Sequence, residues 1–273
     1  MVNWNQLEKY FAIPGTSINL TYENNALVNQ TEKFSLPVEN NYVNFLPDKK
    51  CSSGDSLSQL DYWESSMPNL RPPDHPVQTQ FSEQRFNYLE QIIAFNQIQS
   101  AIDIGCGNGV GTVSLKKRVR DVIGLDMSGY LLKQMPNDIA AVRADATKLP
   151  LKDKSVDLSM AWELIHHIPH PENVFHEISR VTKKWVVIFE PNRWNPLQSS
   201  FSLLVSKERL GLRNTRSFLE NYMKNAGLEV VHYATVGCIF PNKSPILMAK
   251  LFKLIPFKIP VIGISHLLIA KIK

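Results

Sequence analysis

The feature that most constrains this chain is a glycine-rich loop, Asp103-Ile-Gly105-Cys-Gly107-Asn-Gly109, which follows a short apolar run and precedes a stretch of helical character. Glycines at such a junction let the backbone turn sharply and approach a ligand closely. The dinucleotide fingerprint G-x-G-x-x-G would need glycine at position 110, which is Val110. No G-K-[S/T] follows the loop, so a P-loop is excluded as well. The loop therefore predicts a ligand-binding site at the edge of an α/β sheet that is neither a dinucleotide-binding site nor a P-loop.

Downstream of residue 78 the sequence alternates between β-like runs and amphipathic stretches. The runs predict strands at 101–104, 119–125, 140–143, 156–162, 185–190, 230–236 and 266–272. The periodic stretches predict helices at about 79–95, 110–118, 171–181 and 216–226. Strands that alternate with helices predict a parallel sheet covered by helices on both faces.

Two acidic residues fall at the ends of predicted strands. Asp126 ends the second strand, and Asp145 follows the third. The carboxyl ends of strands in an open α/β sheet meet at the ligand-binding crevice. There, the first carboxylate could accept both ribose hydroxyls of an adenosine ligand, and the second could accept from an adenine amino group. Taken alone, an aspartate at position 126 favours a helix cap, and Asp145 has a turn residue as its alternative.

Four segments together resemble the class I S-adenosylmethionine-dependent methyltransferases, in their broad small-molecule, type 11-like group. The segments are DIGCGNG at 103–109, GLDMS at 124–128, RADATKLPLKDKSVDLSMAWELIHHI at 143–168 and HLLIAK at 266–271. They lie in the family's order and spacing and cover roughly residues 78–273. The resemblance implies a Rossmann-like sheet of seven strands, the last antiparallel, flanked by helices. It also implies S-adenosyl-L-methionine as the cofactor.

The resemblance assigns the cofactor site residue by residue. It implies that Asp103 and the loop residues Gly105, Cys106, Gly107 and Gly109 shape the methionine-side pocket. It further implies that Asp126 binds the ribose and that Met127 packs on adenine, although Met127 could also be ordinary core. Asp145 and Ala146 are expected to contact the base, and Trp162 to wall the pocket.

Candidates for a catalytic role follow the fourth predicted strand. The methyl group of a sulfonium is already activated, so the protein mainly aligns the reactants, and a base is needed only if the acceptor must lose a proton. Glu163 and His166 are the candidate bases, with structural packing of the histidine as the alternative. No metal is expected, because His166 and His167 are adjacent and no third ligand is evident from the sequence.

The two ends of the chain differ from its middle. Residues 1–77 predict a small β-rich appendage and linker, with β-like runs at 18–22, 33–38 and 42–46, before a methyltransferase domain at 78–273. The appendage resembles a small module that is zinc-binding in some methyltransferases, but its ligand cysteines are missing, so no metal is inferred. The insert at 240–264 is apolar with interleaved lysines, which suits either a lid over the acceptor or a weak patch on an anionic membrane.

The distribution of charge and the number of cysteines limit the kinds of partner and environment that the chain is expected to have. The formal net charge is +5, yet no acid follows Glu229 and six lysines do, so the basic excess is local and does not form a broad nucleic-acid-binding face. Three widely spaced cysteines indicate a reducing, cytoplasmic environment without a disulfide framework.

The resulting hypothesis is a methyltransferase acting on a small, hydrophobic or lipid-linked acceptor, with no DNA partner. An RNA-modifying methyltransferase and a non-catalytic scaffold of the same fold are the alternatives. The scaffold predicts an eroded glycine loop, whereas the loop is intact. Oxygen, nitrogen and carbon acceptors are not distinguished, and the oligomeric state is left open.

Overall fold

The computed structural model describes residues 1–46, 70–240 and 242–273. Cys51 and the first part of the proline-rich stretch at 67–76, expected to be a loop, lie outside these ranges. The strands are β1 (Thr21–Glu23), β2 (Ala26–Asn29), β3 (Phe34–Glu39), β4 (Tyr42–Asn44), β5 (Ser100–Ile104), β6 (Asp121–Asp126), β7 (Ala140–Arg143), β8 (Val156–Trp162), β9 (Thr182–Pro191), β10 (Leu228–Val236) and β11 (Ser265–Ile272). The helices are α1 (Trp4–Leu7), α2 (Pro76–Leu89), α3 (Val110–Lys116), α4 (Gly129–Leu132), α5 (Glu172–Val181), α6 (Pro196–Leu204), α7 (Arg216–Asn225) and α8 (Ile246–Phe252).

Within the described residues the strands form one sheet in the order β1-β2-β3-β4-β7-β6-β5-β8-β9-β11-β10. Within the stretch β7-β6-β5-β8-β9, each strand is parallel to the next. β11 is antiparallel to both β9 and β10. The seven strands β5–β11 therefore confirm the expected Rossmann-like sheet with an antiparallel last strand. The carboxyl ends of β5, β6, β7 and β8 lie at one edge, where the functional residues collect.

The sheet is central because its strands are buried on both faces. Every residue of β5 is buried. Ile102 and Ile104 belong to one apolar cluster, and Ala101, which points to the opposite face of the strand, belongs to another. Since successive side chains of a strand point to opposite faces, the two clusters lie on the two sides of the sheet. This is the arrangement that near-continuous apolar runs predict for parallel strands.

The helix boundaries follow local capping. Thr215 accepts a hydrogen bond from the Phe218 amide and begins α7, and Gly227 follows its end with a φ of +78°. The helix expected at about 79–95 instead spans Pro76–Leu89. It begins earlier because proline is well tolerated in a first turn, and the His75 side chain caps the Val77 amide.

The N-terminal strands are continuous with the main sheet. β1 to β4 form an antiparallel meander, and β4 then pairs in parallel with β7. The Tyr10 hydroxyl donates to Asp121 Oδ2 over 2.6 Å, and Phe11 shares an apolar cluster with Ile102. Hydrogen bonds and core thus run across the expected boundary at residue 77, and the division into two domains stays a prediction.

Helix α6, where no helix was expected, and helix α8, in the insert for which a helical cover was one alternative, carry large apolar side chains on their exposed sides. Neither follows the usual pattern of an apolar buried face and a polar outer face, so periodicity gave no indication of them. No helix in the described part of the chain is long and apolar enough to cross a membrane.

Candidate functional site

The glycine loop joins β5 to α3, and its three glycines all take positive φ angles: Gly105 +73°, Gly107 +55° and Gly109 +93°. A residue with a Cβ is strained in this left-handed region. At Gly105 a Cβ would also lie 2.9 Å from Leu164 Cδ1. The Gly105 amide donates to the Leu125 carbonyl over 2.8 Å, which ties the loop to the end of β6. Glycine is therefore needed here for both backbone angle and close packing.

Asp126 ends β6 and holds the loop through its carboxylate. Oδ2 accepts from the Gly107 amide and Oδ1 from the Ser128 amide, each over 2.8 Å. Burial raises the pKa of Asp126, while the two amide hydrogen bonds oppose that rise. The cap of the following helix is Ser128, whose hydroxyl accepts from the Leu131 amide, and not Asp126. Each Asp126 oxygen keeps a further lone pair that can accept from a ribose hydroxyl.

These elements line a cavity of about 180 Å³, here called the cofactor cavity. The structure brings together in its wall the predicted residues Gly105, Gly107, Asp126, Met127, Asp145, Ala146 and Glu163. Asp145 also forms the turn considered as its alternative, because its Oδ1 accepts from both the amide and the hydroxyl of Thr147 over 2.8 Å. Apolar walls come from Leu131, Leu164 and Ile168, which sequence reasoning missed because no local pattern marks them.

The remaining predicted residues lie in the adjoining region. Asp103, Cys106 and Trp162 were expected at the cofactor but instead line a second cavity of about 650 Å³, here called the acceptor cavity. Burial raises the pKa of the Cys106 thiol, so it stays protonated. Gly109 caps α3 and packs toward Met135, whose Cγ would lie 3.2 Å from an added Cβ.

A cofactor that extends from the cofactor cavity past Gly105 and Gly107 would reach Asp103 in the acceptor cavity, where a buried polar atom lacks a partner. Asp103 is buried, and its Oδ2 accepts from the Thr112 hydroxyl over 2.7 Å. Its Oδ1 is also buried but has no hydrogen-bond partner among the described residues. Burial raises the pKa of Asp103 to about 7. A buried carboxylate oxygen without a donor is costly, and the cationic ammonium of a methionine moiety would satisfy it.

The acceptor cavity is assembled from distant parts of the chain. Its apolar wall comprises Leu70, Phe81, Trp162, Phe201, Val205 and Phe240. The two cavities share Gly105, Gly107, Leu131, Glu163 and His167. A molecule in the acceptor cavity would therefore meet the cofactor across Glu163 and His167.

His166 lines the acceptor cavity and is held between two carboxylates, an arrangement here called the histidine clamp. Its Nδ1 is 2.9 Å from Glu190 Oε2, and its Nε2 is 3.2 Å from Glu208 Oε2. Burial alone would lower the pKa of His166, but the two carboxylates outweigh burial and raise the pKa to about 10. His166 is thus a buried imidazolium at neutral pH, with both ring nitrogens engaged. This arrangement favours a positioning role over that of a proton acceptor, and its assignment as a base stays a prediction.

Glu190, which closes the fifth predicted strand, organises the segment that carries both histidines. Its carboxylate accepts from the amides of Leu164, Ile165 and His166 at 2.9, 2.6 and 3.1 Å. It also accepts from the Asn214 side chain over 2.8 Å. A position at the carboxyl end of a strand was its only sequence signal.

His167 has the opposite electrostatic character to its neighbour. The two imidazole ring centroids are 3.9 Å apart. Burial and the positive charge of His166 lower the pKa of His167 to about 3. His167 is therefore a neutral imidazole in the wall shared by both cavities.

Glu163 has the least relaxed backbone at the site. Its φ is +53°, a left-handed value that is uncommon for a residue with a side chain. Its amide donates to the Phe189 carbonyl over 2.7 Å, which holds it at the end of β8. Burial raises the pKa of Glu163, and the charges of Arg85 and His166 oppose this. A carboxylate with a raised pKa, facing both cavities, has the properties of a general base.

The structure also places a third possible metal ligand, Glu208, beside the two histidines. Ligand atoms of His166, His167 and Glu208 all lie within 4.8 Å of one another, so the third ligand missing from the sequence pattern is present in space. The argument from adjacency was wrong on this point, because the short 3-10 helix Ile165–His167 stacks the two rings. The existing contacts to His166 match a protonated ring between carboxylates, and the expectation of no metal stays a prediction.

Comparisons with known proteins agree with this geometry. Residues 102–189 match the methyltransferase domain family. A ubiquinone biosynthesis O-methyltransferase of Nitrosomonas europaea is 29% identical over 133 residues, which are 44% of this chain. The chain spans 55% of the length of that relative.

Two solved structures show the same fold. The magnesium protoporphyrin IX methyltransferase of Synechocystis, solved with bound S-adenosylmethionine, has a TM-score of 0.54 at 11% identity and covers 82% of this chain and 100% of its own. An S-adenosylmethionine-dependent methyltransferase of Thermotoga maritima has a TM-score of 0.51 at 21% identity, covering 70% of this chain and 91% of its own.

The matched segment spans the glycine loop, both strand-end acids and the shared wall of the two cavities. Its end at residue 189 leaves out much of the acceptor cavity, which includes Phe201 and Phe240. The cofactor of this domain is S-adenosylmethionine, in accordance with the unsatisfied Asp103 oxygen and the strand-end carboxylate of Asp126. Residues 102–189 are thus a methyltransferase domain, set in a sheet with the Rossmann-like strand order and an antiparallel last strand.

Proposed function

We propose that this protein methylates a hydroxyl group on a small hydrophobic acceptor, with Glu163 as the general base. The observation that carries the proposal is the position of Glu163: a carboxylate with a raised pKa in the wall shared by the cofactor and acceptor cavities. The curated relative named for an O-methyltransferase supports oxygen as the acceptor atom.

The chain's own residues divide the work. Asp103 binds the ammonium group and Asp126 the ribose hydroxyls of the cofactor, which supplies an activated sulfonium methyl group. Phe81, Trp162 and Phe201 surround the acceptor and exclude water, which favours alignment of the reacting atoms. With the cofactor bound, the Glu163 carboxylate would take the proton of the acceptor hydroxyl, whose oxygen gains the methyl group as the methyl–sulfur bond breaks and leaves a neutral thioether.

The histidine clamp positions this base. Glu190 holds the amides of residues 164–166, and the His166 imidazolium bridges Glu190 to Glu208. Positive charge on His166 also favours the ionised form of Glu163. The clamp thus fixes the segment that directly follows the base and supplies a countercharge to it.

The test compares 4-tert-butylcatechol with unsubstituted catechol as acceptors and measures methyl ether formation in the presence of S-adenosylmethionine. We expect a higher kcat/KM for the tert-butyl compound, because the acceptor cavity has an apolar wall. Failure to methylate either probe by protein that binds the cofactor would contradict the proposed acceptor class.

The role of Glu163 is tested by Glu163→Gln, with the exposed Glu229→Gln as the matched control. Loss of a general base is expected to lower kcat by a factor of about 100 or more, with unchanged affinity for the cofactor. Because the base must be ionised, wild-type activity should fall with decreasing pH at a value above the ordinary glutamate pKa, and the variant should lack this step. An unaltered kcat and pH profile in Glu163→Gln would exclude Glu163 as the base.

A further inference from the structure

The outer side of the acceptor cavity carries a group of exposed apolar side chains, here called the apolar rim: Leu197, Leu203 and Leu204 on α6, and Leu247, Leu251 and Leu254 on and after α8. Leu204 is 85% exposed, Leu254 84% and Leu247 69%. Side chains this open contribute little to the packing of the fold. Contiguous exposed apolar surface of this kind marks an interaction site.

The two halves of the apolar rim flank the same cavity. Gln198 and Phe201 of α6 line the acceptor cavity from one side. Phe240, Asn242 and Lys243, which lead into α8, line it from the other. A ligand that reaches the acceptor cavity between these segments therefore passes the apolar rim.

Side-chain hydrogen bonds hold the two halves together. The Asn192 side chain donates to the Val261 carbonyl over 2.6 Å. The Asn195 side chain, next to the first residue of α6, donates to the Ile262 carbonyl over 2.6 Å. Val261 and Ile262 are themselves exposed, at 67% and 54%. The loop after α8 thus returns to the start of α6 and makes the apolar surface continuous.

Helix α8 packs one side against the core and leaves the other side exposed. Ala249 is buried in an apolar cluster with Val77 and Phe81, and its carbonyl accepts from the Gln80 side chain. The larger Leu247 and Leu251 face outward. Ala249 and Phe252 therefore attach α8 to the core, while its leucines remain exposed for contact with something outside the fold.

The exposed charged side chains beside the rim are basic, and the nearby Glu208 is largely buried against His166. Arg193 is the only charged residue between positions 191 and 206, and no acid occurs after Glu229. Lys243, Lys250, Lys253 and Lys258 are all exposed. Leucine side chains bordered by cations match a bilayer surface, in which apolar chains lie beneath anionic headgroups.

We propose that the apolar rim docks this protein on an anionic lipid bilayer, with the helices lying in the interface. A second copy of the chain is a poorer occupant, because a twofold contact on this surface would bring lysines against lysines with no acid from the same region to pair them. Docking would bring the acceptor cavity close to molecules dissolved in the bilayer, a consequence that rests on the proposed function.

The experiment measures flotation of the full chain with vesicles of phosphatidylcholine alone or mixed with phosphatidylglycerol, without cofactor or acceptor. We expect binding to the mixed vesicles, reduced about fivefold for each cation removed and weakened when salt is raised from about 0.1 M to about 1 M. No binding to the mixed vesicles, or equal binding to both kinds, would overturn the proposal. Vesicle binding and methyl transfer are separate readouts, so either proposal can fail alone.

The variants Leu203→Glu/Leu204→Glu and Leu247→Glu/Leu251→Glu place acids in each half of the apolar rim. Each should lower vesicle partitioning at least about tenfold, because two leucines no longer enter the interface. Val231→Glu is the matched control, since Val231 is 44% exposed on β10 and lies outside the rim. Vesicle binding that persists in both double variants would assign the contact elsewhere. If the wild-type protein does not bind vesicles but forms a dimer, and the double variants are monomeric, the rim joins two copies of the chain and the proposal is overturned.

Discussion

The cofactor cavity and the acceptor cavity share a wall but are built in different ways. All residues that line the cofactor cavity fall between Gly105 and Pro169. Those that line the acceptor cavity extend from Leu70 to Lys243. The cofactor half is therefore set by a short, nearly continuous segment, whereas the acceptor half depends on contacts between distant elements.

This difference explains where family likeness ends. The matched domain at 102–189 contains the whole lining of the cofactor cavity. Phe201, Val205 and Phe240 lie beyond it. A common cofactor keeps the first region recognisable, and the second region is free to differ because different acceptors need different walls.

The largest expected effect comes from breaking the cofactor half at Asp126. Asp126→Ala removes the carboxylate that holds the Gly107 and Ser128 amides and is assigned to the ribose. Loss of charge-assisted hydrogen bonds should weaken S-adenosylmethionine binding by about 100-fold or more, measured by calorimetric titration. Asp138→Ala, which removes an exposed acid, is the control, and circular dichroism checks the fold. Unchanged affinity in Asp126→Ala would reject the ribose assignment.

A second prediction breaks the acceptor half at its buried ion cluster. His166→Gln leaves Glu208 without the partner that helps lower its pKa, and should reduce the free energy of unfolding at pH 6 by roughly 3 kcal/mol. Since the folded-state pKa of about 10 exceeds the ordinary 6.5, the stabilisation from His166 is full below about pH 6.5 and is lost as the pH rises through 10.

Denaturation of the wild type and His166→Gln at pH 6, 8 and 10 measures this linkage, with the exposed His176→Gln as control. The stability difference between the wild type and His166→Gln should shrink toward pH 10. A difference that stays constant across this range would contradict a protonated His166.

The smallest expected effect comes from alanine substitutions at two glycines that share a left-handed backbone, only one of which lines the cavities. Gly107 has a φ of +55° and lines both cavities, whereas Gly227 has a φ of +78° and nothing within 4 Å of an added Cβ. Alanine at either position should cost about 1 kcal/mol of stability through backbone strain. Gly107→Ala alone should also weaken cofactor binding, by about tenfold, measured by titration. Equal cofactor affinity in the two variants would show that the loop does not contact the cofactor at Gly107.

Sequence patterns located the strands closely and the helices less so. The strand expected at 156–162 coincides with β8, and the one at 140–143 with β7. Helix α6 was missed, and the bounds of α8 within the insert at 240–264 were not predicted. Both helices expose apolar side chains, which removes the amphipathic period on which helix prediction depends. Pairing of β4 with β7 was likewise unpredictable, since strand pairing over such a separation leaves no local pattern.

By itself, the sequence determined the strand alternation, the glycine loop and the strand-end acids Asp126 and Asp145, because these depend on backbone angles and spacings within short segments. Only the tertiary structure decided which groups surround the acceptor. Glu190 lies 24 positions from His166 in the chain, and Glu208 comes from a third segment, yet their charges make one histidine cationic and its neighbour neutral. Protonation depends on burial and on charges brought close by folding, and neither is encoded in local periodicity.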